Sequence, residues 1–519
     1  MSRSLPRANT PERERAQYTD DFRTGLRSLE RSLQQWTVDA ASAETLTSTL
    51  PERLDRLPWS RWHWRIVTAL GITWILDGLE VTVVGSLGPT LQRDGTLSLS
   101  AAEVGWAGSA YVAGAVLGAL FFGRLADKTG RKPLFLATLS VYLVATLLTA
   151  GTWDFWSFAF CRFLTGFGIG GEYAAINSAI DELIPARVRG LVDLAINGSF
   201  WLGAAAGAGL SIVLLVPGRF PADVGWRVAF AFGAVLTVAI LLVRRHLPES
   251  PRWLMTRGRL AEAERVVAHI EAEVEREHGP CAECGTPFAI RLREHVSWRE
   301  IFTLLVTRYR RRAVLGFVLM ASQAFFYNAI FFTYALVLTS FFGVAASEVG
   351  YYIFPFALGN FLGPLLLGRL FDSAGRRKMI AATYGIAGIG LLVSGYAFSN
   401  DWLDARTMTW CWSALFFFAS AAASSAYLTV SEIFPLEMRA VAISLFYAIG
   451  TGIGGFIGPA LYGTLIGTGS RDAVFFGYAV AGLLMAGAAV VAAWLGVDAE
   501  RKPLETVARP LSAAFDEAH

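Results

Sequence analysis

Long apolar runs separated by short polar turns recur along this chain, in place of the two-residue alternation or one-sided stripes of soluble elements. Twelve of them reach the ~20 residues that a helix needs to cross about 30 Å of hydrocarbon. They lie at 66–91, 101–125, 133–151, 155–180, 191–216, 226–245, 313–341, 348–371, 379–398, 407–431, 440–466 and 473–496. Helices are predicted because a spanning segment must satisfy its own backbone hydrogen bonds, and barrel strands would alternate in polarity. Six runs fall on each side of a polar insert. The pattern predicts an all-α integral membrane protein of two six-helix bundles. Its parts are an N-terminal tail over 1–64, a bundle over 65–246, a linker with short helices over 247–312, a second bundle over 313–497 and a C-terminal tail over 498–519. Gly- and Ala-rich runs at 203–209 and 450–458 mark places where helices approach closely.

The polar turns carry their own repeat. GRLADKTGRK at 123–132 returns about 245 residues later as GRLFDSAGRR at 368–377, each time between two apolar runs. Such an internal duplication is how many secondary transporters build a central site that opens to alternate sides. Composition agrees: 54% of residues are hydrophobic and only 17% charged, and 45 basic against 42 acidic side chains leave no surplus for nucleic acid. The basic residues of the short loops, Arg124, Lys128, Arg131, Lys132, Arg187, Arg189, Arg369, Arg376, Arg377 and Lys378, all fall on one side. By the positive-inside rule that side is cytoplasmic and holds both termini, which suits a multi-pass protein of the plasma (inner) membrane. Trp153, Trp156, Trp226 and Trp402 fall near the opposite ends, as interfacial anchors would. The first 20 residues lack the apolar core of a secretory signal and read as a mobile tail. Within the linker, Val266, Val267, Ile270 and Val274 fall at helical spacing in an otherwise charged run, predicting a short helix beneath the bundle.

Four cysteines in a reducing compartment predict no disulfide framework. Cys281 and Cys284 form a C-x-x-C flanked by His278 and His295, but the second ligand pair of a zinc module is absent, so neither metal nor cofactor is expected.

These residues together resemble the major facilitator superfamily, in particular its sugar-porter branch and the related organic-acid and nicotinate symporters, over residues 65 to 500. Besides the duplicated loop, RFLTGFGIGGE at 162–172 resembles the fourth-helix signature and PESPRWL at 248–254 the signature after the sixth helix. ELIPARVRG at 182–190 and EIFPLEMRA at 432–440 resemble the motif that follows the fourth and tenth helices. The resemblance implies cytoplasmic charge networks of Arg131, Glu182, Arg189, Glu249 and Arg252 in one half and Arg376, Glu432 and Arg439 in the other. Asp127 and Asp372 add helix-end contacts. Such networks form a latch that holds the outward-facing state and releases as the halves rock apart. The alternative is that the charges only fix topology.

Ionisable residues inside the membrane are expensive and therefore informative. Asp77 and Glu80 lie three apart on one face of the first helix, and Arg162 opens the fourth-helix signature. A carboxylate in a dry cavity favours its neutral form and a nearby guanidinium favours the charged one, so a changing distance between them changes proton affinity. Asp77, Glu80 and Arg162 are the expected proton-coupling set; the competing reading is a static ion pair. Expected substrate contacts are Asn197, Gln323, Asn328, Phe332, Tyr427 and Glu172. Gln323 and Asn328 match the sugar-porter Q-x-x-x-x-N pattern, Asn197 and Tyr427 fall where that branch places a polar and an aromatic contact, and Phe332 belongs to an aromatic-rich seventh helix suited to stacking on a flat solute. The cavity tilts negative, which favours a neutral polar solute or organic cation, with Arg162 available to a monocarboxylate. The leading expectation is a monomeric proton-coupled symporter of a small organic solute. Proton-driven export of an amphipathic compound and a transporter-like sensor are the alternatives, and no enzyme site is expected.

Overall fold

The structure, a computed structural model, describes residues 45–91, 94–99, 101–214, 220–221, 223–244, 248–280, 288–291, 298–331, 334–344, 348–509 and 511. Ahead of the first span lie strand β1 (Thr45–Ser48) and helix α1 (Leu50–Arg56). The first six spans are α2 (Arg61–Leu91), α3 (Ala101–Thr129), α4 (Arg131–Thr149), α5 (Phe155–Leu183), the broken pair α6 (Arg189–Gly198) and α7 (Phe200–Leu214), and α8 (Gly225–Arg244). The insert contributes α9 (Pro251–Thr256), α10 (Leu260–His278), strand β2 (Phe288–Arg291) and α11 (Trp298–Val306). The last six spans are the pair α12 (Arg310–Phe331) and α13 (Tyr334–Phe342), then α14 (Val349–Ser373), α15 (Arg376–Ser399), α16 (Ala405–Ile433), α17 (Arg439–Gly467) and α18 (Arg471–Leu495). A short α19 (Leu504–Val507) follows them. Among the described residues, eight stretches are long and apolar enough by themselves to cross a membrane; α2 and α5 fall outside that set and carry the buried charges discussed below.

The duplicated loop is duplicated in backbone as well. Gly130 sits at φ +98° between α3 and α4, and Gly375 at φ +110° between α14 and α15. A side chain is strained in that region of φ, so the glycine of each repeat allows one helix to end and the next to begin almost at once. Each bundle packs through backbone contact. On α3, Gly114 and Gly118 face Phe163 and Phe167 of α5, while Gly166 and Gly170 of α5 face Tyr111 and Ala115 in return. A methyl group at any of the four would overlap a carbonyl oxygen of the partner helix. Because lipid tails are as apolar as leucine, this close fit, not hydrophobic exclusion, holds the spans together. At the ends opposite the duplicated loops, Asp154 caps α5 by accepting from the Ser157 amide at 2.8 Å, and Asp404 caps α16 through the Thr407 amide at 2.7 Å. The two bundles meet where α3 lies along α17 and α6 along α14.

Three features depart from the sequence reading. Trp226 is not an interfacial anchor: it is fully buried and donates to Asp223 Oδ1 at 3.2 Å, whereas Trp153, Trp156 and Trp402 are exposed as expected. The segment before the first span is not a featureless tail over its described part. β1 pairs antiparallel with β2 of the insert, Thr45 opposite Arg291 and Ser48 opposite Phe288, an addition to an otherwise helical chain. Leu50, Leu54 and Leu57 are buried, and α1 docks on α10, whose buried face is Ala263, Val267, Ile270 and Val274, with Val266 at its margin. Arg53 donates to both oxygens of Glu271, at 3.0 and 2.5 Å, and Arg56 adds a third bond at 2.8 Å. Cys281, Cys284 and His295 lie outside the described residues.

Gly170→Val is expected to lower the thermal unfolding temperature of the detergent-solubilised protein sharply or to prevent folding, because the added carbons must enter the Ala115 carbonyl. Gly209→Ala, with open space around it, is expected to be neutral in the same melt. Burial alone would raise the Glu271 carboxyl, but the bonds from Arg53 and Arg56 outweigh it and hold the group below its ordinary value. A depressed acid contributes stability that is complete above its unfolded value of about 4.3 and is lost as pH falls through the folded one. Limited proteolysis around α1 is therefore expected to be slow at neutral pH, to accelerate only in strong acid, and to be fast at all pH in Glu271→Ala.

Candidate functional site

Charges inside the membrane gather at one place in the first bundle. Arg162 of α5, 1% exposed, donates through Nη1 to Glu80 Oε1 of α2 at 2.6 Å. Its Nη2 reaches Thr165 Oγ1 at 2.8 Å and Thr149 Oγ1 at 3.4 Å, and the Phe230 ring lies 4.8 Å from the guanidinium carbon. The second oxygen of Glu80 accepts from the Tyr142 hydroxyl of α4. Glu80 is thus held by a cation and a phenol.

Asp77, one turn away, is held differently. It is buried, and its two oxygens accept from neutral hydroxyls: Tyr111 on α3 at 2.9 Å and Tyr173 on α5 at 2.5 Å. Glu172, fully buried, accepts from Thr138 Oγ1 of α4 at 2.8 Å. Three carboxylates therefore share a region with one guanidinium.

An aromatic layer lies against Asp77 and joins the bundles. Trp74 stacks on Tyr173 with ring centroids 4.7 Å apart. Tyr173 meets Tyr447 of α17 edge-on at 4.6 Å, and Tyr427 of α16 lies 6.0 Å from Trp74 and 6.4 Å from Tyr173. Tyr111, Tyr173 and Tyr427 keep part of their surface open.

Of the expected substrate contacts, Tyr427 joins this layer. Asn197 instead donates to Asn177 Oδ1 at 3.3 Å and to the Asp193 carbonyl at 2.9 Å. Asn328 donates to the Ala324 carbonyl of its own helix at 2.7 Å, and the Gln323 amide points to the Met320 sulfur at 4.0 Å. Glu172 lies between two helices of the first bundle, and Phe332 falls outside the described residues. Sequence reasoning missed Trp74, Tyr111, Tyr142, Tyr173 and Tyr447. Tyrosines in spans are common, and nothing in their spacing says that four different helices aim them at one place.

A second polar system closes the end of the bundle that carries the duplicated loops. Arg376 holds Glu432 in a two-bonded fork, both bonds at 3.0 Å, and donates to Asp372 Oδ1 at 2.7 Å. Asp372 belongs to the second bundle but accepts from the Gly190 and Leu191 amides at 3.1 and 2.8 Å, capping the first turn of α6 in the other bundle. A carboxylate at a helix N-terminus satisfies open donors and opposes the helix dipole. Two longer ion pairs also cross between bundles, Arg189 to Glu432 and Arg439 to Glu182, each 3.8 Å. Glu249 sits over Gly130 and accepts from the Lys132 amide at 3.2 Å; Glu500 sits likewise over Gly375 and accepts from the Arg376 amide at 3.4 Å. The side chains of Asp127 and Arg131 lie outside the described residues.

Arg252 is the node of this system. It donates to the Glu182 carbonyl at 2.8 Å, to Asp55 of α1 at 3.0 Å and to Glu505 of α19 at 3.0 Å. Asp55 also accepts from Arg189 at 3.4 Å. Asp55, Glu500 and Glu505 were not legible in the sequence, because they stand in polar flanks where any charge is unremarkable.

The sequence model of the family described as "Sugar (and other) transporter" matches residues 60–508. The niacin transporter NiaP of Acinetobacter baylyi is 29% identical over 462 residues, covering 88% of this chain and 99% of that protein. The 4-hydroxybenzoate transporter PcaK of Pseudomonas putida is 26% identical over 425 residues, covering 80% and 89%. Among solved structures, the proton:xylose symporter XylE of the major facilitator superfamily, from E. coli, superposes with a TM-score of 0.71 at 19% identity over 86% of this chain and 98% of its own. With two bundles of six spans, a charged centre inside the first, the fold of the major facilitator superfamily symporter XylE and a family match over nearly the whole folded chain, this protein belongs to the sugar (and other) transporter family and is a multi-pass membrane transporter.

Proposed function

We propose that the chain is a proton-coupled symporter that carries a small flat organic solute by alternating access, and that the end bearing the duplicated loops faces the cytoplasm. The observation that carries the reading is the contrast between two acids one turn apart: Glu80 bonded to Arg162, and Asp77 bonded to tyrosine hydroxyls. With Asp77 ionised the chamber repels an anion. A proton on Asp77 removes that repulsion, so proton and monocarboxylate enter together with no net charge moved, and the pH gradient rather than the membrane potential drives the uptake. The aromatic layer of Trp74, Tyr173, Tyr427 and Tyr447 favours a ring solute, and two relatives are named for ring compounds, niacin and 4-hydroxybenzoate. Gln323, Asn328 and Asn197 supply the polar side of the same chamber. Glu80 then relays protonation through its pairing with Arg162, and Glu172 keeps the cluster short of cations. The Arg376, Glu432, Asp372, Arg189, Glu182, Arg439, Arg252 and Glu249 network, with Asp127 and Arg131 at the duplicated loop, is the latch of the state closed to the cytoplasm. One chain contains both bundles and the whole chamber, so it works as a monomer in the bilayer.

In proteoliposomes, an inward proton gradient is expected to drive accumulation of nicotinate or 4-hydroxybenzoate. Asp77→Asn and Glu80→Gln are each expected to abolish gradient-driven accumulation while solute still stabilises the purified protein in a thermal melt. Undiminished gradient-driven uptake in both variants would overturn the coupling assignment, and solute expulsion by the same gradient would establish export instead. Removing one partner of a buried ion pair costs ~3–5 kcal/mol. Glu432→Ala is therefore expected to speed hydrogen exchange at the Gly190 and Leu191 amides by at least tenfold, read by mass spectrometry of the α6 peptide.

A further inference from the structure

We propose that Tyr173 is the positioning residue that converts the charge on Asp77 into closure of the aromatic layer between the bundles. The inference rests on the reading of Asp77 as a proton site. One side chain makes both contacts that such a transmission needs. Its hydroxyl donates to Asp77 Oδ2 at 2.5 Å, and its ring stacks on Trp74 at 4.7 Å and meets Tyr447 of the second bundle at 4.6 Å. Tyr427 lies 6.4 Å from the same ring and 6.3 Å from Tyr447, so the layer on the second-bundle side is two tyrosines deep.

The physical step is a change of acceptor. A phenol bonded to a carboxylate makes a short, charge-assisted hydrogen bond, roughly twice as strong as one between neutral groups. That bond aims the ring. Once Asp77 takes a proton, the hydroxyl faces a neutral acid, the bond weakens, and the ring is held by its aromatic and hydroxyl contacts with Trp74 and Tyr447, the aromatic ones each worth ~0.5–1.5 kcal/mol. Those contacts are comparable to the energy gaps that separate transporter states, so releasing Tyr173 shifts the balance between closed and open. Ionised Asp77 keeps the layer shut; protonated Asp77 lets it part.

The groups that face Asp77 leave this role to Tyr173. Glu80 on the same helix is engaged by Arg162 and by Tyr142 of α4, and Glu172 by Thr138. Tyr111 of α3 bonds the other oxygen of Asp77. Tyr427 and Tyr447 approach from the second bundle, and Tyr173 is the hydroxyl bonded to Asp77 whose ring also touches them.

The test places spin labels at Thr129 and Ser373, exposed residues at the same end of the two bundles, in full-length protein with its four cysteines replaced. Pulsed electron resonance then reports the open-to-closed ratio as pH is lowered from about 8 to about 5. In the parent protein the ratio is expected to rise roughly tenfold over that range. In Tyr173→Phe, which keeps the ring and removes the hydroxyl, it is expected to change less than about twofold. A parent-like rise in Tyr173→Phe overturns the proposal. Tyr447→Leu leaves the Asp77 bond in place and removes the partner ring; it too is expected to flatten the response and carries the test should the first variant not fold, and a parent-like rise there overturns the proposal equally. Asp77→Asn separates the two readings: an unchanged response in Asp77→Asn overturns the proton-site assignment itself, whereas a response lost in Asp77→Asn but kept in Tyr173→Phe overturns only the role of the tyrosine.

Discussion

A guanidinium and a carboxylate 2.6 Å apart, both almost completely buried, would be untenable in hydrocarbon without the rest of the molecule around them. Each ion would cost several kcal/mol to bury alone, and their attraction offsets that only when the remaining donors and acceptors are also met. Thr149, Thr165, Tyr142 and the Phe230 face meet most of them, from α4, α5 and α8, while Nε of Arg162 has no hydrogen-bond partner among the described residues. Four helices, α2, α4, α5 and α8, must therefore hold their register to within hydrogen-bond tolerance around Glu80 and Arg162. The glycine interlock of α3 with α5 supplies that rigidity, since helices in backbone contact cannot slide without collision. Asp77 sits on this frame without a guanidinium of its own, and the difference gives the centre two acids of unlike character from one helix face.

The opposite problem is solved at the loop end, where contacts must be strong yet separable. Most of the bonds there stay within one bundle or join a flank to it, as in the Arg376 fork on Glu432 or Glu249 over Gly130. Those that cross include, among the described residues, the cap of Asp372 on the α6 amides and two ion pairs stretched to 3.8 Å. These polar bonds add to apolar contact, for Leu194, Trp201 and Ala204 of the first bundle lie in the buried cluster of the second. The rocking proposed above would break such discrete bonds while each half stays rigid.

Much of the fold was legible because lipid imposes its own grammar. Span number, the two-bundle division and the duplicated turn follow from run length, backbone satisfaction and the repeat of glycine at positions 130 and 375. That a carboxylate of the first span pairs with Arg162 was also legible, since buried opposite charges have few other resolutions, but the sequence left open whether it is Asp77 or Glu80. The tyrosines around Asp77 were not: a span presents an aromatic to lipid, to packing or to the chamber with the same sequence pattern. Trp226 shows the same ambiguity, reading as an interfacial ring by position and yet buried against Asp223. The folded segment before the first span escaped notice because its apolar stripe, Leu50, Leu54 and Leu57, is too short to stand out from a polar flank.

Arg252 clasps Asp55 near the start of the chain and Glu505 near its end, about 450 residues apart. A membrane protein made and inserted from one end holds the first of these partners long before the second exists. The clasp is therefore incomplete until the segment that carries Glu505 has left the ribosome. While the twelve spans are being made the nascent molecule has only half of this closure, and the short helix after them finishes the lock.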